Sequence, residues 1–259
     1  MSLYDQVRQG FAKVIQIASD NTIYDSFPEC SFLSTTNVIS IKPANQEQID
    51  IFCRKLGFHG VEEFNIKFHL RDETGRKRIV IEADLVSVHP TQIFFFFGRG
   101  FVINKTDGSH IMEIKLPKNS PDTIGKIVHP SQATLYKIFK KNDGDSPVSY
   151  EVRKIDDNKP SIIIEKASVS IYSIAKMIGI LDAESVYQFR SSNRIIIGHL
   201  RPKLSFSGKT MIIKFARTQP DPQLRAAVIG ASLLLTLIDV HPILKQAWEK
   251  TIELARFDF

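Results

Sequence analysis

Residues 221–240, DPQLRAAVIGASLLLTLIDV, restrict the fold more than any other stretch. Asp221 is a natural N-cap and Pro222 suits the first helical position; from Ala226 to Ile238 only Ser232 and Thr236 carry a polar side chain. The pattern predicts a helix with no polar face, which must be surrounded by lipid or by protein. Length favours protein: the apolar run spans only about 20 Å, whereas a hydrocarbon core takes about 20 residues to cross. Arg225 and Asp239 bound the run, and no longer apolar run occurs elsewhere. No transmembrane span is expected, and the fold must place one helix at its centre.

A chain of 259 residues with 43% hydrophobic content can bury a sizeable core without staples. Cys30 and Cys53 are the only cysteines, and the N-terminus, MSLYDQVRQG, has no apolar signal region. A reducing cytoplasmic or nuclear location is therefore expected, with the sequon at Asn104 unused. The net charge of +6 comes from 34 Lys and Arg interleaved with 28 Asp and Glu. That sign suits phosphoinositide-bearing membrane, other anionic lipid or nucleic acid, and equally suits mere solubility.

Three regions are expected: N-terminal helices and lead-in over 1–60, a β-domain with its central helix at 222–239 over 61–240, and a C-terminal amphipathic helix over 241–259. Val7, Phe11, Val14, Ile15 and Ala18 fall at helical spacing within residues 4–18, and a second helix is expected at residues 46–56, QEQIDIFCRKL. From about Phe64 the texture changes to strands separated by turn residues. NIKFHLRDETGRKRIVIEADLVSV turns at Asp72 to Gly75, GFVINKTDGSHIMEIKL at Thr106 to Gly108, TLYKIFKKNDGDSPVSYEVRKI at Asn142 to Gly144, and SVYQFRSSNRIIIGHL at Ser191 to Asn193. Successive hairpins without crossover helices imply an antiparallel barrel or sandwich. IGKIVHP followed by TLYKIF is echoed by IGHLRP followed by TMIIKF, the pattern of a duplicated hairpin.

These paired segments, the hairpin FHLRDETGRKRIVIEADL and above all IIKFARTQPDPQLRAAVIGASLLLTLID resemble the tubby C-terminal-like superfamily, which includes tubby proteins, phospholipid scramblases and LURP-one-related proteins. The resemblance covers roughly residues 60–240. It implies a closed antiparallel β-barrel of about 12 strands around a hydrophobic C-terminal helix, and so a protein lining for that helix. Scramblases also carry a palmitoylated cysteine cluster and an acidic calcium-binding stretch before the last helix, where this chain has no cluster and reads ARTQPDP. The tail continues past Pro242 as ILKQAWEKTIELARF, with Ile243, Leu244, Ala247, Trp248, Thr251 and Leu254 on one side, which suits packing on the barrel or a partner.

No catalytic or metal constellation stands out, and no cofactor is expected. SFSGKT lacks the first glycine and following helix of a phosphate loop, GRG at 98–100 reads as a strand bend, and NDGD at 142–145 reads as a turn. The seven histidines are scattered, with His89, His129 and His241 each before proline. FFFF at 94–97 has two readings, a strand buried on both faces or a membrane wedge.

Cations cluster at turns and strand ends: Arg76, Lys77 and Arg78; Lys137, Lys140 and Lys141; Arg201, Lys203 and Lys209. Such groups can clamp phosphate by charge-assisted hydrogen bonds, the role that the resemblance implies for them on phosphoinositide headgroups. The sequence thus points to a non-enzymatic peripheral-membrane protein that binds anionic phospholipid, with lipid scrambling as a variant. A protein-interaction scaffold or transcriptional regulator that docks through its terminal helices is the rival, ahead of a nucleic-acid binder or an enzyme.

Overall fold

A computed structural model describes residues 26–59, 64–74, 77–87, 100–116, 122–141, 148–157, 159–178, 180, 185–204, 209–218 and 221–257. Helix 4–18, FFFF at 94–97, Gly75, Arg76, the turn at 142–144 and the first four residues of SFSGKT lie outside these residues.

Twelve antiparallel strands close into a barrel. In chain order they are β1 (Val38–Pro43), β2 (Phe64–Asp72), β3 (Ile79–Ser87), β4 (Gly100–Lys105), β5 (His110–Lys115), β6 (Thr123–Val128), β7 (Thr134–Lys141), β8 (Ser149–Lys154), β9 (Pro160–Ser168), β10 (Ser185–Ser191), β11 (Ile196–Pro202) and β12 (Met211–Phe215). Each strand from β2 to β12 pairs with its predecessor in the chain, and β1 closes the ring by pairing β12, with Val38 opposite Lys214 and Ile41 opposite Met211. The expected boundary at residue 61 therefore falls inside the barrel: β1 lies upstream of it and supplies the closing strand.

The helices are α1 (Gln46–His59), α2 (Ser170–Met177), α3 (Pro222–Val240) and α4 (Pro242–Phe257). α3 fills the barrel axis. Ala226, Ala227, Val228, Ile229 and Leu233, Leu234, Leu235 and Leu237 are all buried, against inward side chains such as Ile39, Leu70, Ile81, Ile103 and Val152. The Asp221 carboxylate accepts from the Gln223 N–H, as an N-cap should. The strand side chains do for this helix what lipid would do for a membrane span, which accounts for its missing polar face. Contrary to the expectation from the apolar run alone, the 19-residue helix is long and apolar enough to suit a span, and burial inside the barrel is what decides.

Both charges that flank the apolar run are drawn in. Arg225, 1% exposed, donates to the carbonyls of Leu33 (2.6 Å), Ser34 (3.1 Å), Thr36 (2.8 Å) and Ala216 (3.2 Å), and its guanidinium lies 4.9 Å from the Phe215 ring centroid. It ties the segment before β1 to the end of β12 at the mouth where α3 enters. At the opposite mouth the Asp239 carboxylate accepts from Tyr187 Oη at 2.8 Å and from Lys166 Nζ at 3.3 Å. Burial, followed by the Asp239 charge, drives the Tyr187 phenol far above its usual range and keeps it a donor.

Glycines make room at two points of the repeated motif, in different ways. A Cβ on Gly125 would lie 2.6 Å from Leu234 Cδ2 of α3, whereas one on Gly198 would lie 2.7 Å from the Lys214 carbonyl oxygen of the neighbouring strand. The two segments occupy β6–β7 and β11–β12, five strands apart around an antiparallel ring, and so run in opposite directions. Rotation about the barrel axis does not superpose them.

α4 docks on the mouth where α3 ends. Leu244, Ala247 and Trp248 are buried, and the Trp248 ring meets Phe101 edge-on at 6.0 Å. Ile243, expected on the same face, is 46% exposed.

Candidate functional site

The expected cations do not converge on one place. Lys77 and Arg78 lie on the β2–β3 hairpin, at the mouth where α3 enters; Lys140 and Lys141 end β7 at the opposite mouth, four strands from β11. Several are held by carboxylates. Lys141 Nζ is 3.7 Å from Glu151, Lys203 Nζ is 3.3 Å from Glu73, and Lys209 Nζ is 3.1 Å from Asp50 on α1. Glu73 unites two groups that are far apart in sequence: burial raises its carboxyl, but the Ser40 hydroxyl, the Lys203 ammonium and the charge of Lys77 together hold it below the usual range.

Strand register assembles a different group. On the outer face of β10, β11 and β12, Gln188 stands opposite His199 and His199 opposite Lys214, with Arg201 one outward position further along β11. Gln188 Nε2 donates to His199 Nε2 at 3.1 Å, and Arg190 Nε donates to Gln188 Oε1 at 2.9 Å. Burial, then the positive charges of Lys214, Arg190 and Arg201, push the His199 imidazole below its ordinary range. Arg190 is balanced by Glu165 at 3.2 Å, but among the described residues neither Lys214 nor Arg201 makes an ion pair. Arg201 Nη1 instead donates to the phenol oxygen of Tyr172 at 3.0 Å, a neutral partner that positions the guanidinium without cancelling its charge.

Tyr172 belongs to α2, and so joins this cationic strip to a second surface. α2 is pinned by Tyr172 and Ala175, both buried, which pack with Val186 on β10. The remaining apolar side chains face outward: Ile171 is 57% exposed, Ile174 55%, Met177 79% and Ile178 61%, flanked by Val169 and Ile180. Together they expose apolar area on the order of 500 Å², the size of the largest patch on a typical monomer, which is often a functional surface. Of the six cations in residues 165–204 (Lys166, Lys176, Arg190, Arg194, Arg201, Lys203), Lys166, Arg190 and Lys203 are ion-paired with Asp239, Glu165 and Glu73. Sequence reading missed this surface. The signal was present in VSIYSIAKMIGI, where Ile171, Ile174 and Ile178 recur at helical spacing between two strands.

Among the described residues, no group of three or more His, Cys, Asp or Glu is placed to hold a metal ion. The geometry offers an outer strand face whose Arg201 and Lys214 are not ion-paired among the described residues, beside a helix with an exposed apolar face.

No family model matches the chain, and neither does any curated protein. Among solved structures it is similar to the X-ray structure of the Arabidopsis thaliana protein AT5G01750, at 10% identity and a TM-score of 0.25, over 51% of this chain and 82% of that one. At that score the likeness carries no weight for function, and the barrel rests on its own strand pairing.

Proposed function

We propose that this chain is a non-enzymatic protein that binds anionic phospholipid, phosphoinositides among them, at a membrane surface through the outer face of β10–β12. The observation that carries the reading is the placement of Arg201 and Lys214 around His199 on adjacent strands with no carboxylate paired to either among the described residues, whereas Lys141, Lys203 and Lys209 each sit against one. Cations whose charge no carboxylate cancels can neutralise lipid phosphate, each worth about 1 kcal/mol at an anionic surface and screened by salt. The resemblance to the tubby C-terminal-like superfamily points the same way.

The rival, a scaffold docking through its terminal helices, is weakened at the C-terminal end, since Leu244, Ala247 and Trp248 of α4 are already committed to the barrel.

Vesicle flotation tests the reading. Flotation with phosphatidylserine or phosphoinositide vesicles and not with neutral ones, weakening as salt rises, is the expected result. Lys214→Glu should weaken it by roughly thirtyfold, since reversal changes two charges at about 1 kcal/mol each. Equal flotation on neutral vesicles, or none on any vesicle, would refute it.

A further inference from the structure

The geometry points to α2 as a membrane-inserting element: we propose that its Ile171, Ile174, Met177 and Ile178 face enters the boundary between headgroups and acyl chains of an anionic bilayer while Arg201 holds phosphate beside it. The inference rests on the lipid-binding reading above and adds which part of the molecule goes into the bilayer.

The helix is fixed where such an element must be. Tyr172 and Ala175 anchor it to β10, and the Arg201 to Tyr172 hydrogen bond at 3.0 Å ties it to β11, so it projects from a rigid wall. Ile171, Ile174 and Ile178 recur at i, i+3 and i+7 with Met177 between the last two, and all four are more than half exposed. The barrel therefore covers only part of the helix's apolar circumference, and Lys176 is its one charged residue.

Charge selects the occupant. Arg201 and Lys214, on the neighbouring strands β11 and β12, make no ion pair among the described residues, which complements a negative bilayer. Among the described residues the face is also aliphatic, without the exposed Tyr or Trp anchors on which protein interfaces concentrate their energy. Eight residues bury too little apolar area to hold a protein on a membrane alone, so insertion and phosphate binding must act together. Neutral bilayers should consequently not be entered, although the inserted side chains are themselves uncharged.

Met177→Trp provides the test. The sole native tryptophan, Trp248, is fully buried and serves as a background. With vesicles containing phosphatidylserine and phospholipids brominated at graded depths, the new indole should be quenched, most strongly by shallow bromines, and in neutral vesicles it should not. The triple variant Ile171→Ser, Ile174→Ser, Met177→Ser should lose roughly tenfold or more in vesicle affinity while keeping the wild-type urea midpoint, because these side chains lie outside the core. If the wild type floats on anionic vesicles while the indole stays unquenched or the triple variant floats as well, the role of α2 is refuted and the lipid reading stands. If the wild type floats on no vesicle, both fall. A concentration-dependent dimer that the triple variant abolishes would identify the face as a contact between copies and refute insertion.

Discussion

Arg225 shows how a single residue can hold both sides of a mouth together. It donates to carbonyls of Leu33, Ser34, Thr36 and Ala216, and burial depresses its pKa without displacing the charge. Methionine would fill similar space but leave those buried carbonyls unpaired, so Arg225→Met should cost about 3 kcal/mol or more in urea unfolding. A loss below about 1 kcal/mol would mean that water replaces the guanidinium. His241, between α3 and α4, makes a pH prediction. It is buried, its ring meets Phe68 edge-on at 5.5 Å, and burial, then the charge of Lys209, push its pKa down to about 4 from 6.5. The unfolded chain then binds more protons between those values. Stability contributed by the neutral ring is complete above pH 6.5 and is lost as pH falls towards 4, by about 3 kcal/mol. His69, His129 and His199 are depressed as well, so the measurement is a difference: His241→Phe should flatten the fall in unfolding free energy between pH 6.5 and 4.5 by about one bound proton.

At the scale of elements, the contact between β6 and α3 is tight enough to test by overpacking. A Cβ on Gly125 would meet Leu234 Cδ2 at 2.6 Å, so Gly125→Val should destabilise by roughly 1–3 kcal/mol. Adding Leu234→Ala should recover part of that loss, and strict additivity in the double-mutant cycle would argue against the contact. α3 was legible in the sequence because an apolar circumference has few solutions, and the β2–β3, β4–β5 and β10–β11 hairpins because turn residues punctuate alternating strands. β9 was not, since the run Ile162, Ile163, Ile164 hides the alternation that leaves Ile162 and Ile164 fully buried and Ile163 half-buried. α2 escaped for the opposite reason: hydrophobic periodicity is read as a buried face, and here Ile171 and Ile174 point outward. The cationic strip was illegible because linear proximity groups Arg201 with Lys203 and Lys209, whereas register sets His199 beside Lys214, and the intervening strand ends turn two of the expected cations towards Glu73 and Asp50.

For the whole molecule, closure is what allows an apolar helix to exist in a protein lining, and closure depends on a pairing between the two ends of the barrel sequence. β1 and β12 meet with Ile39 opposite Ile213 and Ile41 opposite Met211, more than 150 residues apart in the chain. Without β1 the remaining eleven strands would leave β2 and β12 as facing edges with unpaired backbone groups, and Ile39 and Ile41, both fully buried, would no longer cover the core. A truncated chain beginning at residue 61 should therefore not form a stable monomer, although it retains every later strand and α3. The expected signs are aggregation, or a soluble but loosely packed state that binds a hydrophobic dye and lacks a cooperative urea transition. A chain beginning at residue 26 keeps β1, the Arg225 carbonyl partners and the stack of Phe27 on Tyr136 at 5.8 Å, and should unfold cooperatively. A cooperative, monomeric 61–259 chain would contradict the closed ring, because eleven strands would then suffice to enclose the helix. Failure of the shorter chain beside success of the longer would locate closure in residues 26–60, upstream of the 61–240 stretch to which the sequence assigns the barrel.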